Sequence, residues 1–198
     1  RYEFYQSDKT NPKTAVLFLY INEKREKFSG MEAISMKRIL ENPFEENPVV
    51  NDLDFVILGA TEVDLDFNVN VTTDSLGQIM GGSGGHADTA HGAKVTIIVT
   101  NLLKARLPII KNKVTCVTTP GEDIDIVVTE RGIAINPLRT DLIETISKSK
   151  LPILSMKELM NKAHDIAGIP SFYELSKEPI GYVRYRDGSI IDTLYKTK

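Results

Sequence analysis

Apolar side chains along this chain fall into short unbroken runs more often than into a helical rhythm, and the runs have strand length. Residues 14–21 (TAVLFLYI) are β-branched and aromatic and predict a strand. Residues 31–40 carry apolar side chains at 31, 34, 36 and 40 and predict a short helix, stopped by Asn42-Pro43 and Asn47-Pro48. Residues 54–60 (DFVILGA) form a continuous apolar run ending in glycine, the form of a strand buried on both faces. Residues 67–71 alternate apolar and Asn side chains and predict a second short strand, and residues 94–100 predict another buried one. Residues 114–117 and 124–128 are further strand candidates. Parallel-type strands joined by short loops and helices indicate an α/β open sheet with flanking helices.

The last third changes character. Asp141, with Glu144 three residues on, is placed to cap a helix carrying Leu142, Ile143 and Ile146. Ser155 and Glu158 have capping-box spacing, Met156, Leu159, Met160 and Ala163 follow as an apolar stripe, and Gly168 and Pro170 end the helix. Residues 182–191 read as a C-terminal β-hairpin, with Asp187-Gly188 as a type I′ turn between two β-rich arms.

Composition narrows the class. The 198 residues suit one sizeable α/β domain, and 41% hydrophobic content is globular. Twenty-four Lys and Arg against 27 Asp and Glu leave a net charge of −3, so no overall basic field points to nucleic acid. No apolar run approaches the roughly 18–20 residues of a membrane span. No signal peptide is visible, and the single Cys116 excludes an internal disulfide framework, which predicts a cytoplasmic protein. The chain starts at Arg1, which leaves processing or a longer parent open.

Charge is unevenly spread. Between Ile39 and Ala93 there are ten acidic residues and no Lys or Arg. Lys94, Lys104, Arg106, Lys111 and Lys113 then arrive together, either as solvated strand ends or as a cationic rim for a phosphorylated ligand.

The segment 81–88 (GGSGGHAD) carries the strongest chemical signal. Gly81, Gly82, Gly84 and Gly85 let backbone approach a ligand closely and point several N–H groups one way. A short helix after them would set an anion-friendly terminus beside the loop. Such a loop suits a phosphate, a carboxylate or a developing oxyanion, or is simply a tight strand-to-helix turn. It is neither a Walker A loop nor a clean dinucleotide fingerprint. His86, Asp88 and His91 match no standard zinc spacing, so no metal is expected. His164 reads as a surface or core histidine. Glu130, at the carboxyl end of a predicted strand, is a candidate acid/base or substrate-positioning group, or else caps the next turn. Cys116 reads as inert packing.

Residues 52–60, 67–71, 81–90 (GGSGGHADTA) and 125–137 (DIVVTERGIAINP) occur in an order that resembles the CoA-transferases, above all the α subunits of citrate lyase. Residues 183–192 (VRYRDGSIID) are similar to the C-terminus of those subunits. The resemblance covers about residues 48–198 and divides the chain into an N-terminal segment, 1–47, of uncertain origin and a CoA-transferase-like domain, 48–198. It implies the second half of a two-half enzyme. The Ser-Glu-x-Gly motif of covalent CoA-transferases is absent from the chain.

What the resemblance implies is acyl exchange. The α subunit replaces the acetyl group on a CoA-like acyl-carrier thioester with citrate, giving citryl thioester and acetate. The implied partners are a β subunit that cleaves the citryl thioester and a small γ acyl carrier, in an oligomeric complex with no tightly bound cofactor. The chemistry needs a carboxylate held against a thioester carbonyl and N–H donors for the oxyanion. The glycine loop fits the donor role; Asn70 is a further ligand contact; Lys94, Lys104 or Arg106 would offset the charge of citrate; Glu130 is the catalytic candidate. Asn68, Asn70 and the His86-Ala-Asp-Thr sequence favour the citrate branch over an acetyl-CoA hydrolase or transferase acting with free CoA. A truncated, non-catalytic CoA-binding module is the remaining alternative.

Overall fold

The computed structural model describes residues 49–171 and 174–198. The predicted strand at 14–21, the predicted helix at 31–40 and the boundary at 47/48 lie outside the described residues. Among those described, the main sheet has four strands in the order β1-β4-β8-β9, formed by Val56–Leu58, Thr96–Val99, Ile126–Thr129 and Gly132–Ile135. β1, β4 and β8 run parallel, with Val56 opposite Thr96 and Ile97 opposite Ile126. β9 returns antiparallel after a tight turn, with Thr129 opposite Gly132. A second sheet has the order β3-β2-β7, from Val69–Asn70, Glu62–Asp64 and Ile110–Lys111. Two hairpins complete the strands: β5 and β6 (Leu103–Lys104, Leu107–Pro108) and β10 and β11 (Leu175–Arg184, Ile190–Thr197).

Among the described residues, three α-helices flank them: α1 (His86–Gly92), α2 (Thr140–Ile146) and α3 (Met156–Ala167). α3 begins at the expected capping box, in which the Ser155 hydroxyl accepts from the Glu158 amide and the Glu158 carboxylate accepts from the Ser155 amide. Its Leu159, Met160 and Ala163 are buried against β6, β7 and β9. One core joins Val56, Leu58, Ile98, Val127 and Ala134 of the main sheet to Val63, Phe67, Val69 and Ile110 of the second-sheet layer and to the α3 stripe.

Among the described residues, the main sheet is covered on that side only. Its opposite face carries Ile57, Ile97, Val99, Val128, Ile133 and Ile135, aligned by the strand register. Ile57 is 46% exposed and Val99 48%. The expectation that residues 54–60 are buried on both faces is therefore corrected, because alternate residues of β1 face outward with nothing described above them.

Other expectations change for local reasons. Residues 114–117 are mostly β-branched but form no strand, because amides among them bond to carboxylates rather than to a neighbouring strand. Thr115 N–H donates to Glu62 Oε2 (2.7 Å) and Val117 N–H to Asp192 Oδ2 (2.6 Å). Asp141 does not cap α2; Arg139 occupies that position and its guanidinium grips both Asp141 oxygens, at 2.9 and 2.8 Å. In the C-terminal hairpin only Gly188 is left-handed (φ +87), so the turn is a type I turn closed by a glycine rather than type I′. No helix among the described residues is long and apolar enough to cross a membrane.

Candidate functional site

α1 lies between β1 and β4 in sequence and runs opposite to them, because its last turn meets the start of β1: Leu53 bridges Ala93 and accepts from the Lys94 amide. Its first residue therefore reaches the other edge, where β1, β4 and β8 end. Ligands approach open α/β sheets at that carboxyl edge. The glycine loop is held there at both ends. The Met80 amide donates to Thr72 O (2.8 Å) and the His86 amide to Ser83 O (3.2 Å). Among the described residues, the amides of Gly81, Gly82 and Gly84 have no acceptor.

Among the described residues, a Cβ at Gly81 or Gly82 would meet no atom within 4 Å beyond its chain neighbours. The chain's own packing therefore does not demand glycine at these two positions. Gly92 and Gly121 are the opposite case: a Cβ there would lie 2.0 Å from Val50 O and 1.9 Å from Asp66 O. α1 is only seven residues long and its start has no side-chain cap. The loop amides, rather than a helix terminus, are the donors this edge offers.

His86 is fully buried. Nε2 lies 3.0 Å from Gly59 O, just past β1, and Nδ1 lies 2.7 Å from Thr119 Oγ1. A carbonyl only accepts, so Nε2 carries the hydrogen toward Gly59. Thr119 is itself paired with Val69 of β3 through both backbone groups.

Below the loop lies a buried polar cluster that the sequence did not reveal. Glu62 of β2 is fully buried and accepts from Asn70 Nδ2 (3.0 Å), the Thr115 amide and the Thr115 hydroxyl (3.1 Å), and it is ion-paired with Lys111. Burial pushes its carboxyl up, but the Lys111 bond and charge, with Asn70 and Thr115, outweigh that and hold it below its usual value. Asn70 Oδ1 accepts from the Thr72 and Thr73 amides, both at 3.0 Å. Its amide nitrogen also donates to Thr73 Oγ1. Asn70 thus spends its side chain inside the protein, shaping the segment that leads to the glycine loop.

The expected cations separate. Arg106 is exposed at the tip of the β5–β6 hairpin, which follows β4 and so belongs to the carboxyl edge with the loop. Ala105 and Arg106 both adopt left-handed backbone there (φ +48 and +68). Lys104 is exposed on the same hairpin. Lys94 does not join them. It sits where α1 returns to the amino end of the sheet, bonded to Asp54 at 2.7 Å. Closeness in sequence misled here, because α1 carries the chain from one edge to the other. Lys111 is committed to Glu62.

Glu130 lies at the end of β8, half-exposed, and its Oε2 accepts from the Leu102 amide at 2.9 Å. It ties the base of the Arg106 hairpin to the sheet. His86, Asp88 and His91 diverge: His91 Nδ1 contacts Asp123 (2.8 Å) and the Tyr185 hydroxyl (3.0 Å) on the far side of α1 from His86. Burial pushes Asp88 up, opposed by the charge of Arg186. Burial and then the charges of Asp192 and Glu62 push the Cys116 thiol up to about 12.

The sequence model of the family described as "Citrate lyase, alpha subunit (CitF)" matches residues 31–197. The chain belongs to the citrate lyase α-subunit family. The citrate lyase alpha chain of Haemophilus influenzae is 51% identical over 150 residues, covering 75% of this chain and 30% of that one. That of Klebsiella pneumoniae is 44% identical over 146 residues, 74% of this chain and 29% of its own length. A crystal structure described as the α subunit of citrate lyase of Streptococcus mutans in complex with citrate aligns with a TM-score of 0.78 and 44% identity, over 81% of this chain and 32% of that one. The fold is therefore the α/β fold of this family, with open sheets and flanking helices. The chain spans about 30% of the length of the curated relatives it matches.

Proposed function

We propose that this chain supplies one wall of a citrate CoA-transferase site, as part of the second half of a two-half α subunit. The observation that carries this reading is the glycine loop at the carboxyl edge, with open space over Gly81 and Gly82. Glycine there has no internal packing reason, and a bound group approaching the backbone supplies one. Family membership and the citrate named with the S. mutans structure support the substrate.

The reaction needs no redox partner. A citrate carboxylate oxygen adds to the acetyl thioester carbonyl and the carrier thiolate leaves, giving a mixed anhydride. The thiolate then adds to the citryl carbonyl of that anhydride and acetate leaves. Each addition puts negative charge on a carbonyl oxygen, where the amides of Gly81, Gly82 and Gly84 are suited to donate. Lys104 and Arg106, with no ion pair among the described residues, are suited to the remaining citrate carboxylates. Glu130 acts here as a positioning residue for their hairpin, which its bond to Leu102 supports. Asn70 supports the loop from beneath instead of contacting the ligand.

The proposed setting is cytoplasmic, in a complex with the β subunit and the γ acyl carrier, whose CoA-like group is a substrate rather than a resident cofactor. The open apolar face of the main sheet suits assembly with further protein. The test is transfer from acetyl-CoA to citrate, read as citryl-CoA and acetate, for this chain alone and with the amino-terminal part of a full-length relative. Turnover only when the amino-terminal part is added is the expected outcome; turnover by the chain alone contradicts the one-wall reading, and a folded chain silent in both contradicts the transferase reading.

A further inference from the structure

We infer that His86 is a positioning residue that sets the height and angle of the glycine loop over the sheet edge, an inference that rests on the loop's role as ligand cradle. The loop leaves its upstream anchor at Met80 and has no side-chain cap where α1 begins. The first residue after it closes that gap from within. The buried His86 ring donates from Nε2 to Gly59, at the exit of β1, and in its neutral form accepts at Nδ1 from the Thr119 hydroxyl. Gly59 lies 27 residues before His86 and Thr119 lies 33 after it, so one ring ties three separate chain segments together. Thr119 is in turn held on Val69 of β3. The other ties at this end are local: the His86 amide donates to Ser83 O, and the Thr89 amide and hydroxyl both donate to Gly85 O, at 3.0 and 2.8 Å. Loss of the ring would leave the fold's core contacts in place and let the loop amides wander relative to β1 and β4. Since oxyanion donors work only when preorganised, placement rather than presence of those amides is what His86 controls.

Three variants of the full 198-residue chain test this: His86→Leu, which removes both bonds; Thr119→Val, which removes one; and His86→Gln, whose amide nitrogen restores a donor toward Gly59. The chain, labelled with 15N-glycine, reports the loop directly through the order parameters of Gly81, Gly82, Gly84 and Gly85. Citrate binding by calorimetry reports the consequence. His86→Leu and Thr119→Val are expected to lower the loop glycine order parameters toward about 0.6, with Gly121 and Gly132 unchanged. Citrate affinity is expected to fall about tenfold or more in His86→Leu and to recover most of that in His86→Gln. Unchanged loop order parameters in a folded His86→Leu or Thr119→Val chain overturn the inference. If the loop loosens while citrate affinity is unchanged, the positioning role is overturned as well. Gly82→Val separates the two levels. Unaltered citrate binding in that variant refutes the cradle reading itself, whereas lost binding there with intact binding in His86→Leu refutes only the role of His86.

Discussion

Asn70 Nδ2 donates to the buried Glu62 carboxylate at 3.0 Å, across the antiparallel pair formed by β2 and β3. Glu62 also bonds to Thr115 and pairs with Lys111, so one carboxylate joins β2, β3, β7 and the irregular segment after it. Removing the carboxylate charge leaves Lys111 without its partner, so Glu62→Gln is expected to destabilise by about 3 kcal/mol. Urea unfolding of the two chains measures it. The same bonds hold the Glu62 pKa below its unfolded value. Its contribution is therefore present above the unfolded carboxylate pKa of about 4.3 and is lost as pH falls through the lowered one. An acid melt followed by circular dichroism should show less acid-induced loss in Glu62→Gln than in the parent.

The glycines sort by what surrounds them. Gly121→Ala puts a methyl group 1.9 Å from Asp66 O, against a backbone turn fixed by Asp64 and Asn68, and should cost about 3 kcal/mol or more. Gly81→Ala meets nothing and should leave the melting temperature within about 2 °C of the parent. Parallel thermal melts decide whether the loop glycines are free of internal duty.

Much of this architecture is legible in the chain itself. The runs that became β1, β4 and β8 are apolar enough to announce themselves, and Ser155-Glu158 announces α3. β2 (Glu-Val-Asp) is not, because its two carboxylates are buried, Glu62 by Lys111 and Thr115 some fifty residues later and Asp64 by the turn through Asp66 and Asn68. The hairpin of β5 and β6 hides for a different reason: its turn uses left-handed Ala105 and Arg106, where glycine or asparagine would have been the signal. The glycine loop is readable by composition, but His86 is not, since both its partners are remote in sequence. Lys94 shows the limit of proximity along the chain, as α1 separates it from a loop nine residues upstream.

The open face of the main sheet predicts self-association. Ile57 and Val99 lie on that face, exposed, on adjacent parallel strands. Sedimentation of the isolated chain should show concentration-dependent association. The double variant Ile57→Lys, Val99→Lys should suppress it with only a small change in melting temperature, since neither side chain is in the core.

Cys116 is buried and its thiol is pushed up to about 12, so almost no thiolate forms near neutral pH. A disulfide reagent at pH 8 should leave the native chain unmodified and react only at the rate of unfolding. In that unfolding-limited regime, raising the pH from 7 to 9 should change the rate little, because opening of the chain and not thiolate formation sets it.

The most direct measurement is citryl-CoA formation from acetyl-CoA and citrate by the Gly82→Val chain, assayed with the amino-terminal part of a full-length relative and compared with the unchanged chain. Loss of turnover by about a hundredfold or more, with an unaltered circular dichroism melt, is the predicted result, because the added side chain fills the space above the loop and not the protein. Turnover equal to that of the unchanged chain would contradict the account and reduce the glycine loop to a turn.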